Sequence, residues 1–226
     1  MNTNRASVVF FDIGDTLGTA IVAHPDFHLE RIDVYAYIPT ILQQLTASGI
    51  KIGIISNTGN ETAASMKRVL ESADIYHFFQ PELLIYSSVV GFNKPSPEIF
   101  RIAATAANQT TKPQHCLFVG EDDKERKAAR NCGFQVVPHP MLVGDVLNGN
   151  RLRYIRVGVT AAQSDLAWRA AMRDLAVVPL YVTGEHGDRV YAIATTTAIT
   201  QLDDLGFEVD RLGSEGDPLT TEVYLR

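Results

Sequence analysis

Unbroken apolar runs alternate with amphipathic stretches along the first 140 or so residues of the chain. Such runs are typical of buried strands in a parallel sheet, and the stretches between them have helical periodicity. The pattern predicts strands over 8–11, 50–55, 82–87, 115–119 and 134–137. It predicts helices over 38–48, 62–72, 97–107 and 124–131. This alternation indicates an α/β fold, a Rossmann-like doubly wound parallel sheet with helices on both faces.

The pattern changes near residue 150, where Asn148-Gly149-Asn150 has the composition of a linker. Beyond it, the sequence predicts strands over 152–159, 177–183, 189–195 and 207–212, with helices over 162–175 and 197–205. The order β-α-β-β-α-β is that of a ferredoxin-like unit, a small α+β fold. We therefore predict two domains, a core over 1–148 and an accessory domain over 151–226.

Composition narrows the classes of function. The net charge of −6 comes without a basic cluster, which argues against a nucleic-acid partner. The sequence has no signal-peptide core and no apolar segment that could span a bilayer, so we expect no membrane partner. Its two cysteines, Cys116 and Cys132, lack metal-ligand spacing and suggest a reducing compartment. A cytoplasmic location is the resulting expectation.

Polar residues end the predicted strands or lie in loops beside them: Asp12, Ser56, Lys94, Glu121 and Asp122. The carboxyl ends of parallel strands meet at one edge of a sheet, where open α/β folds bind ligands. Acidic groups with no histidine or thiol nearby suit a hard divalent ion such as Mg²⁺. A metal, a lysine and a hydroxyl together can hold a phosphoryl group and neutralise its charge. A free carboxylate can then attack phosphorus and form an aspartyl phosphate.

Four segments, in order and on suitable elements, resemble the motifs of the haloacid dehalogenase-like (HAD) superfamily of hydrolases. They are residues 11–17 (FDIGDTL), 55–57 (ISN), 94–100 (KPSPEIF) and 118–122 (FVGED). The resemblance covers roughly residues 7–140. Most members of this superfamily are Mg²⁺-dependent phosphatases, so the resemblance implies a phosphohydrolase with a phosphorylated substrate of unknown identity.

The resemblance also implies a role for each matching residue. Asp12 would be the nucleophile, and Lys94 would hold the charges of the aspartate and the phosphate together. Ser56, with Asn57 beside it, would bind the phosphoryl oxygens. The Mg²⁺ site would be formed by Asp12, the main-chain carbonyl of Gly14, Glu121 and Asp122.

Two departures from the family pattern bear on catalysis. Gly14 occupies the position of the usual acid–base aspartate, and Asp15 follows it. Loss of a general acid typically slows an enzyme by about 10²–10⁴-fold, which would favour acyl or aryl phosphates with good leaving groups. Asp15 either takes over that role or is a turn residue bonded to its own backbone. In the fourth motif Glu121 replaces an aspartate, so Asp122 is an alternative metal ligand.

The intervals between the motifs are too short for an inserted cap domain, which predicts a capless enzyme. Residues 18–33 could form a small flap over the site. The C-terminal domain could act as a lid, as a ligand-sensing module or as a surface through which copies of the chain associate; its fold alone does not choose.

Two other functions stay open at this point. Gly14 and the altered fourth motif also suit a catalytically weakened binding or regulatory protein. A haloacid dehalogenase, in which the aspartate attacks carbon, needs neither metal nor general acid. That chemistry normally requires a cap and an arginine near the first motif, and the nearest arginine after Asp12 is Arg31.

Overall fold

The computed structural model describes residues 5–23, 28–158, 170–172, 174–175, 177–183 and 189–214. The chain divides into two compact units, Met1–Val143 and Gly144–Arg226. The predicted linker at 148–150 lies a few residues beyond this division.

A five-stranded parallel sheet forms the centre of the first unit. With strands numbered in chain order, it contains β1 (Val8–Phe11), β4 (Lys51–Ser56), β5 (Leu84–Tyr86), β6 (Cys116–Val119) and β7 (Gln135–Val137). The strands lie in the order β5-β4-β1-β6-β7, with β1 in the middle. The predicted Rossmann-like α/β fold is confirmed for this part of the chain.

Helices cover the sheet: α1 (Ile38–Ala47), α2 (Ala63–Ser72), α3 (Ser87–Val90), α4 (Pro97–Ala106) and α5 (Asp123–Asn131), followed by α6 (Val143–Leu147). On one face Phe100 of α4 meets Phe118 of β6 edge-on, with ring centroids 5.3 Å apart. Val9 and Phe11, which point to the other face, are equally buried, so both faces are covered. None of the described helices is both long enough and apolar enough to cross a membrane.

A two-stranded hairpin follows the first motif, where the sequence predicts a flap. Strands β2 (Gly18–Ala23) and β3 (His28–Val34) pair antiparallel, and β3 packs against α2. Gly18 permits the close pairing, since a Cβ there would lie 2.5 Å from the carbonyl oxygen of Asp33.

The second unit contains a four-stranded antiparallel sheet. Its strands are β8 (Leu152–Gly158), β9 (Val178–Thr183), β10 (Arg189–Thr195) and β11 (Glu208–Ser214), in the order β11-β8-β10-β9. A helix over Thr196–Asp204 follows β10 and is capped by the Thr195 hydroxyl. The helix predicted over 162–175 falls largely outside the described residues, so the ferredoxin-like fold stays a prediction.

His139, just after β7, is a source of acid sensitivity. Its Nδ1 accepts the Met141 N–H at 3.2 Å, so the neutral ring donates from Nε2 to the Tyr37 hydroxyl at 3.1 Å. Burial lowers the pKa of His139 to about 4 from the usual 6.5. Between these values the unfolded chain binds a proton that the folded chain does not, so stability falls as the pH falls.

We expect the free energy of unfolding to drop by about 3 kcal/mol from this group as the pH is lowered through that window. Urea unfolding at a series of pH values, compared with His139→Gln, isolates the contribution. Equal pH dependence of the two proteins would contradict it.

Candidate active site

Asp12 lies at the carboxyl end of the central strand. Its N–H donates to the carbonyl of Val119 at 2.9 Å, which continues the parallel pairing one residue past β1. Ser56 ends the neighbouring strand β4 and is also buried. Asp12 keeps 8% of its surface exposed, so its carboxylate is accessible from the edge of the sheet. The structure thus brings the predicted nucleophile and hydroxyl to adjacent strand ends.

Lys94 reaches the same edge from the loop before α4. Its Nζ lies 2.7 Å from Asp12 Oδ1 and 2.7 Å from Glu125 Oε2, and its side chain is 1% exposed. The ammonium also lies 5.4 Å from the centre of the Phe118 ring. A buried ammonium requires such partners, because desolvation of an unpaired charge costs several kcal/mol. Lys94 therefore bridges two carboxylates.

Asn57 holds the main chain of Lys94 on both sides. Its Oδ1 accepts the Lys94 N–H at 2.7 Å, and its Nδ2 donates to the Lys94 carbonyl at 3.1 Å. The Lys94–Pro95 peptide within this loop is cis. The side-chain amide thus positions the lysine, while the predicted contact of Asn57 with substrate stays a prediction.

The acidic pair of the fourth motif separates into two environments. Glu121 Oε2 accepts a hydrogen bond from the Thr16 hydroxyl at 2.9 Å. Burial, together with the charge of Asp12, raises the pKa of Glu121. Asp122 Oδ1 instead accepts the Glu125 N–H at 3.0 Å and caps α5. Of these two acidic residues, Glu121 is thus the one whose pKa is affected by the charge of Asp12. The metal-binding roles of both residues stay predictions.

Glu125 belongs to the site through Lys94. Desolvation raises its pKa to about 7, even though the nearby ammonium favours the charged form. A glutamate in the first turn of a helix also stabilises the helix dipole, but the contact with Lys94 gives Glu125 a place in the site.

There is free space for a side chain at Gly14, where the family pattern has its acid–base aspartate. A Cβ at Gly14 would have no heavy atom within 4 Å. Asp15 is exposed and has a left-handed φ of 52°, and its N–H donates to the Gly18 carbonyl at 3.0 Å. Aspartate is among the residues that adopt this backbone conformation in turns. Its acid–base role stays a prediction.

Arg126 is a buried residue of the site that sequence reasoning missed. It is 1% exposed, and its guanidinium donates to the carbonyls of Gly120 and Glu121 at 2.9 and 2.6 Å. The side chain thereby fixes the main chain of the fourth motif. Its position in the charged run Asp123-Lys124-Glu125-Arg126 gave no sign of burial.

We expect Arg126→Met to lower the free energy of unfolding by about 2–3 kcal/mol, because it leaves the buried carbonyl of Gly120 and the partly buried carbonyl of Glu121 without these donors. Arg126→Lys should recover only part of the loss, since one ammonium does not reproduce the planar fork of a guanidinium. Urea denaturation of the three proteins measures both effects. Full recovery by lysine would mean that charge alone matters.

The side chains at this edge carry more negative than positive charge. Three carboxyl groups, those of Asp12, Glu121 and Glu125, interact with the ammonium of Lys94. Within the described ranges, no three His, Cys, Asp or Glu side chains converge as a metal-binding group. Mg²⁺ commonly takes only one or two protein carboxylates and completes its shell with water and substrate phosphate. Asp12, Glu121 and a main-chain carbonyl are hard oxygen donors that fit this pattern.

Arg31, the arginine considered for halide chemistry, lies on β3. Its Nε donates to Asp33 Oδ1 at 2.9 Å, and its side chain is 54% exposed. The contact pairs this guanidinium with an exposed aspartate of its own strand.

Comparison with known proteins agrees with this geometry. Residues 13–133 match the model of the haloacid dehalogenase-like hydrolase family. A hydrolase of Schizosaccharomyces pombe is 40% identical over 85 residues, which is 35% of each chain. A phosphoglycolate phosphatase of Salmonella paratyphi A is 30% identical over 100 residues, 44% of this chain and 37% of the relative. The chain thus spans little more than a third of the length of these relatives.

Among solved structures, a protein from Listeria monocytogenes serotype 4b superposes with a TM-score of 0.53 at 18% identity. The match covers 63% of this chain and 97% of that protein. At this identity the likeness concerns the fold alone.

Proposed function

We propose that this chain, which belongs to the haloacid dehalogenase-like hydrolases, is a Mg²⁺-dependent phosphohydrolase. The proposed reaction proceeds through an aspartyl phosphate on Asp12. The observation that carries the proposal is the Asp12–Lys94 pair, 2.7 Å apart at the end of the central strand. Phosphoglycolate phosphatases among the relatives support phosphate-ester chemistry in particular.

In the proposed reaction, one Asp12 carboxylate oxygen attacks phosphorus, and the bond from phosphorus to the leaving-group oxygen breaks. Water then attacks the aspartyl phosphate and releases phosphate, which regenerates the carboxylate. Lys94 holds Asp12 Oδ1 and offers positive charge to the phosphoryl oxygens as they gain charge. Ser56, on the adjacent strand end, is proposed to donate its hydroxyl to a phosphoryl oxygen.

Excess negative charge supports a divalent cation in this site. Asp12, Glu121 and the main-chain carbonyl of Gly14 are the proposed ligands, with Asp122 as an alternative whose Oδ1 caps α5. When bound, Mg²⁺ would neutralise charge on the phosphoryl group and on the carboxylates.

Gly14 determines which substrates the proposed enzyme would use well. Because residue 14 cannot act as a general acid, it supplies no proton, and the leaving-group oxygen must depart as an anion. Acyl and aryl phosphates meet this requirement because their leaving groups are stable anions. The same glycine favours a second candidate function, a binding or regulatory protein that holds phosphate without turnover.

The test is hydrolysis of acetyl phosphate and of an aryl phosphate by the purified protein, with and without Mg²⁺, beside Asp12→Asn. We expect turnover that requires both the metal and Asp12, with rates near background for the variant. Turnover that persists in Asp12→Asn would overturn the nucleophile assignment. Tight phosphate binding without turnover would favour the second candidate function.

A cytoplasmic location is also part of the proposal. Its support is that Cys116 and Cys132 are both free, the former buried with a pKa raised by burial to about 12. Such thiols are typical of proteins kept in a reducing compartment. Measuring the distribution of the tagged protein between cell fractions tests this.

A further inference from the structure

A small cavity opens beside the candidate site, between the β2–β3 hairpin and the start of α2. Its volume is about 240 Å³, and Gly14, Ser56 and Asn57 form the wall nearest the candidate nucleophile. Pockets for drug-sized ligands span about 300–1,000 Å³, so this one suits a compact group. Its position next to Gly14 and Ser56 is where the leaving group of a phosphate ester would extend.

The outer wall of the cavity is apolar. Ala20 and Val22 of β2, Leu29 of β3 and Met66 of α2 line it. Displacement of water from such a wall by an apolar group is favourable, by roughly 25 cal/mol per Å² of apolar surface buried. The wall thus favours a hydrocarbon group over a polar one.

The one charged side chain among the described residues that line the cavity is Glu61. It is 7% exposed, and its Oε1 accepts the Leu29 N–H at 2.7 Å and contacts His28 Nδ1 at 3.0 Å. Ser65 donates to its other oxygen at 2.5 Å. Although burial opposes ionisation, these hydrogen bonds lower the pKa of Glu61, so the carboxylate is an anion at neutral pH.

An anion on the wall repels a second anion in the cavity. At an effective dielectric constant near 20, two unit charges 4 Å apart interact by about 4 kcal/mol, and by less at greater distance. Among the described residues no lysine or arginine lines the wall, and His28, which pairs with Glu61, is not one of the lining residues. A leaving group that carries a carboxylate is therefore disfavoured.

We propose that this cavity selects phosphate esters with a compact, uncharged, apolar leaving group and discriminates against esters whose leaving group is anionic. The inference rests on the proposed function, since it assigns the cavity to the leaving group of that reaction. Phosphoglycolate, with its carboxylate, is on this view a poor ligand, and an alkyl ester of the same shape is a better one.

The test compares isobutyl phosphate with phosphoglycolate, because a branched pair of methyl groups has nearly the shape of a carboxylate. Both are measured as competitive inhibitors of acetyl phosphate hydrolysis, so slow turnover of either does not matter. We expect the inhibition constant of isobutyl phosphate to be at least about tenfold lower, which corresponds to 1.4 kcal/mol.

A variant that adds a positive charge to the cavity wall makes the comparison more specific. Val22 is 40% exposed, so Val22→Lys places an ammonium on the cavity wall without burying it fully. We expect this variant to bind phosphoglycolate about tenfold more tightly, and so to remove the preference. Val89→Lys is the matched control, since Val89 is 57% exposed, is not among the residues that line the cavity and gives the same change in net charge.

The outcomes separate the two proposals. Acetyl phosphate turnover with equal inhibition by both esters, or with stronger inhibition by phosphoglycolate, would overturn the cavity assignment and leave the phosphohydrolase intact. A preference unaltered by Val22→Lys would do the same. Absence of turnover would overturn the proposed function, and calorimetric titration of the two esters into the protein would then measure the selectivity directly.

Discussion

Gly14→Asp is expected to raise kcat/KM for alkyl phosphates by about 10²–10⁴-fold, the usual contribution of general acid–base catalysis. The substitution puts a carboxyl group where the sequence has none, two residues after the candidate nucleophile. A Cβ there meets no heavy atom within 4 Å, and the backbone of Gly14 is outside the left-handed region. The new side chain is therefore expected to fit without displacing the chain.

The gain should depend on the leaving group. Alkyl oxygens need a proton to depart, whereas acetate and nitrophenolate leave as stable anions. We therefore expect little change for acetyl phosphate and a large change for isobutyl phosphate. Gly14→Asn is the matched control, because it has the same shape and no acid. An equal gain in the asparagine variant would point to substrate contact, and no gain in either would assign proton transfer to another group, such as Asp15.

Lys94→Met is expected to reduce turnover of acetyl phosphate by about 10²–10³-fold, the usual effect of removing one donor that stabilises transition-state charge. It also leaves Asp12 and Glu125 buried without the ammonium that lies 2.7 Å from each. Breaking a buried pair in this way costs about 3–5 kcal/mol of folding free energy. Both kinetics and urea unfolding are needed, since the effects have different origins.

The double variant Lys94→Met/Glu125→Gln separates those origins. Removing the Glu125 charge should recover much of the lost stability, because one fewer anion is left unpaired. Activity should not return, because the ammonium is still absent. If stability and activity recovered together, the loss of turnover in the single variant would be a folding defect. If neither stability nor activity changed in Lys94→Met, the ion pairs would have no role in the protein.

The strand ends of the site could be predicted because their signals are local. An apolar run stopped by Asp12, and another stopped by Ser56, fix both the buried strands and the edge where polar groups collect. The sequence also indicated Lys94 as a candidate near that edge, but not its burial, since a lysine in a loop carries no sign of burial by itself. Its 1% exposure results from tertiary contacts with Asp12 and Glu125.

The fourth motif was harder to interpret for a physical reason. An aspartate three residues before a glutamate, at the start of a helical run, is a known helix-start signal, and Asp122 does cap α5. Helix capping and metal binding would use the same carboxylate oxygens of Asp122, and the sequence alone does not show which of the two prevails. Arg126 had no signal of either kind, because its burial depends on where the carbonyls of Gly120 and Glu121 point.

The hairpin illustrates a different limit. The sequence leaves room for a small flap over residues 18–33, and the strands Gly18–Ala23 and His28–Val34 form a separate two-stranded sheet there. Its role in lining a cavity with Met66 followed only from the packing of β3 on α2. Contacts between elements so far apart in sequence leave no periodicity to detect.

The contacts of the site join segments that are distant along the chain, and this has a consequence for folding. Thr16 and Glu121 are 105 residues apart, and Asn57 and Lys94 are 37 apart. The pairing of β1 with β6 closes loops of similar length, because Val8 lies opposite Cys116. The sheet and the site therefore depend on the same distant parts of the chain being held together. Any anion that binds the site stabilises that whole arrangement by mass action.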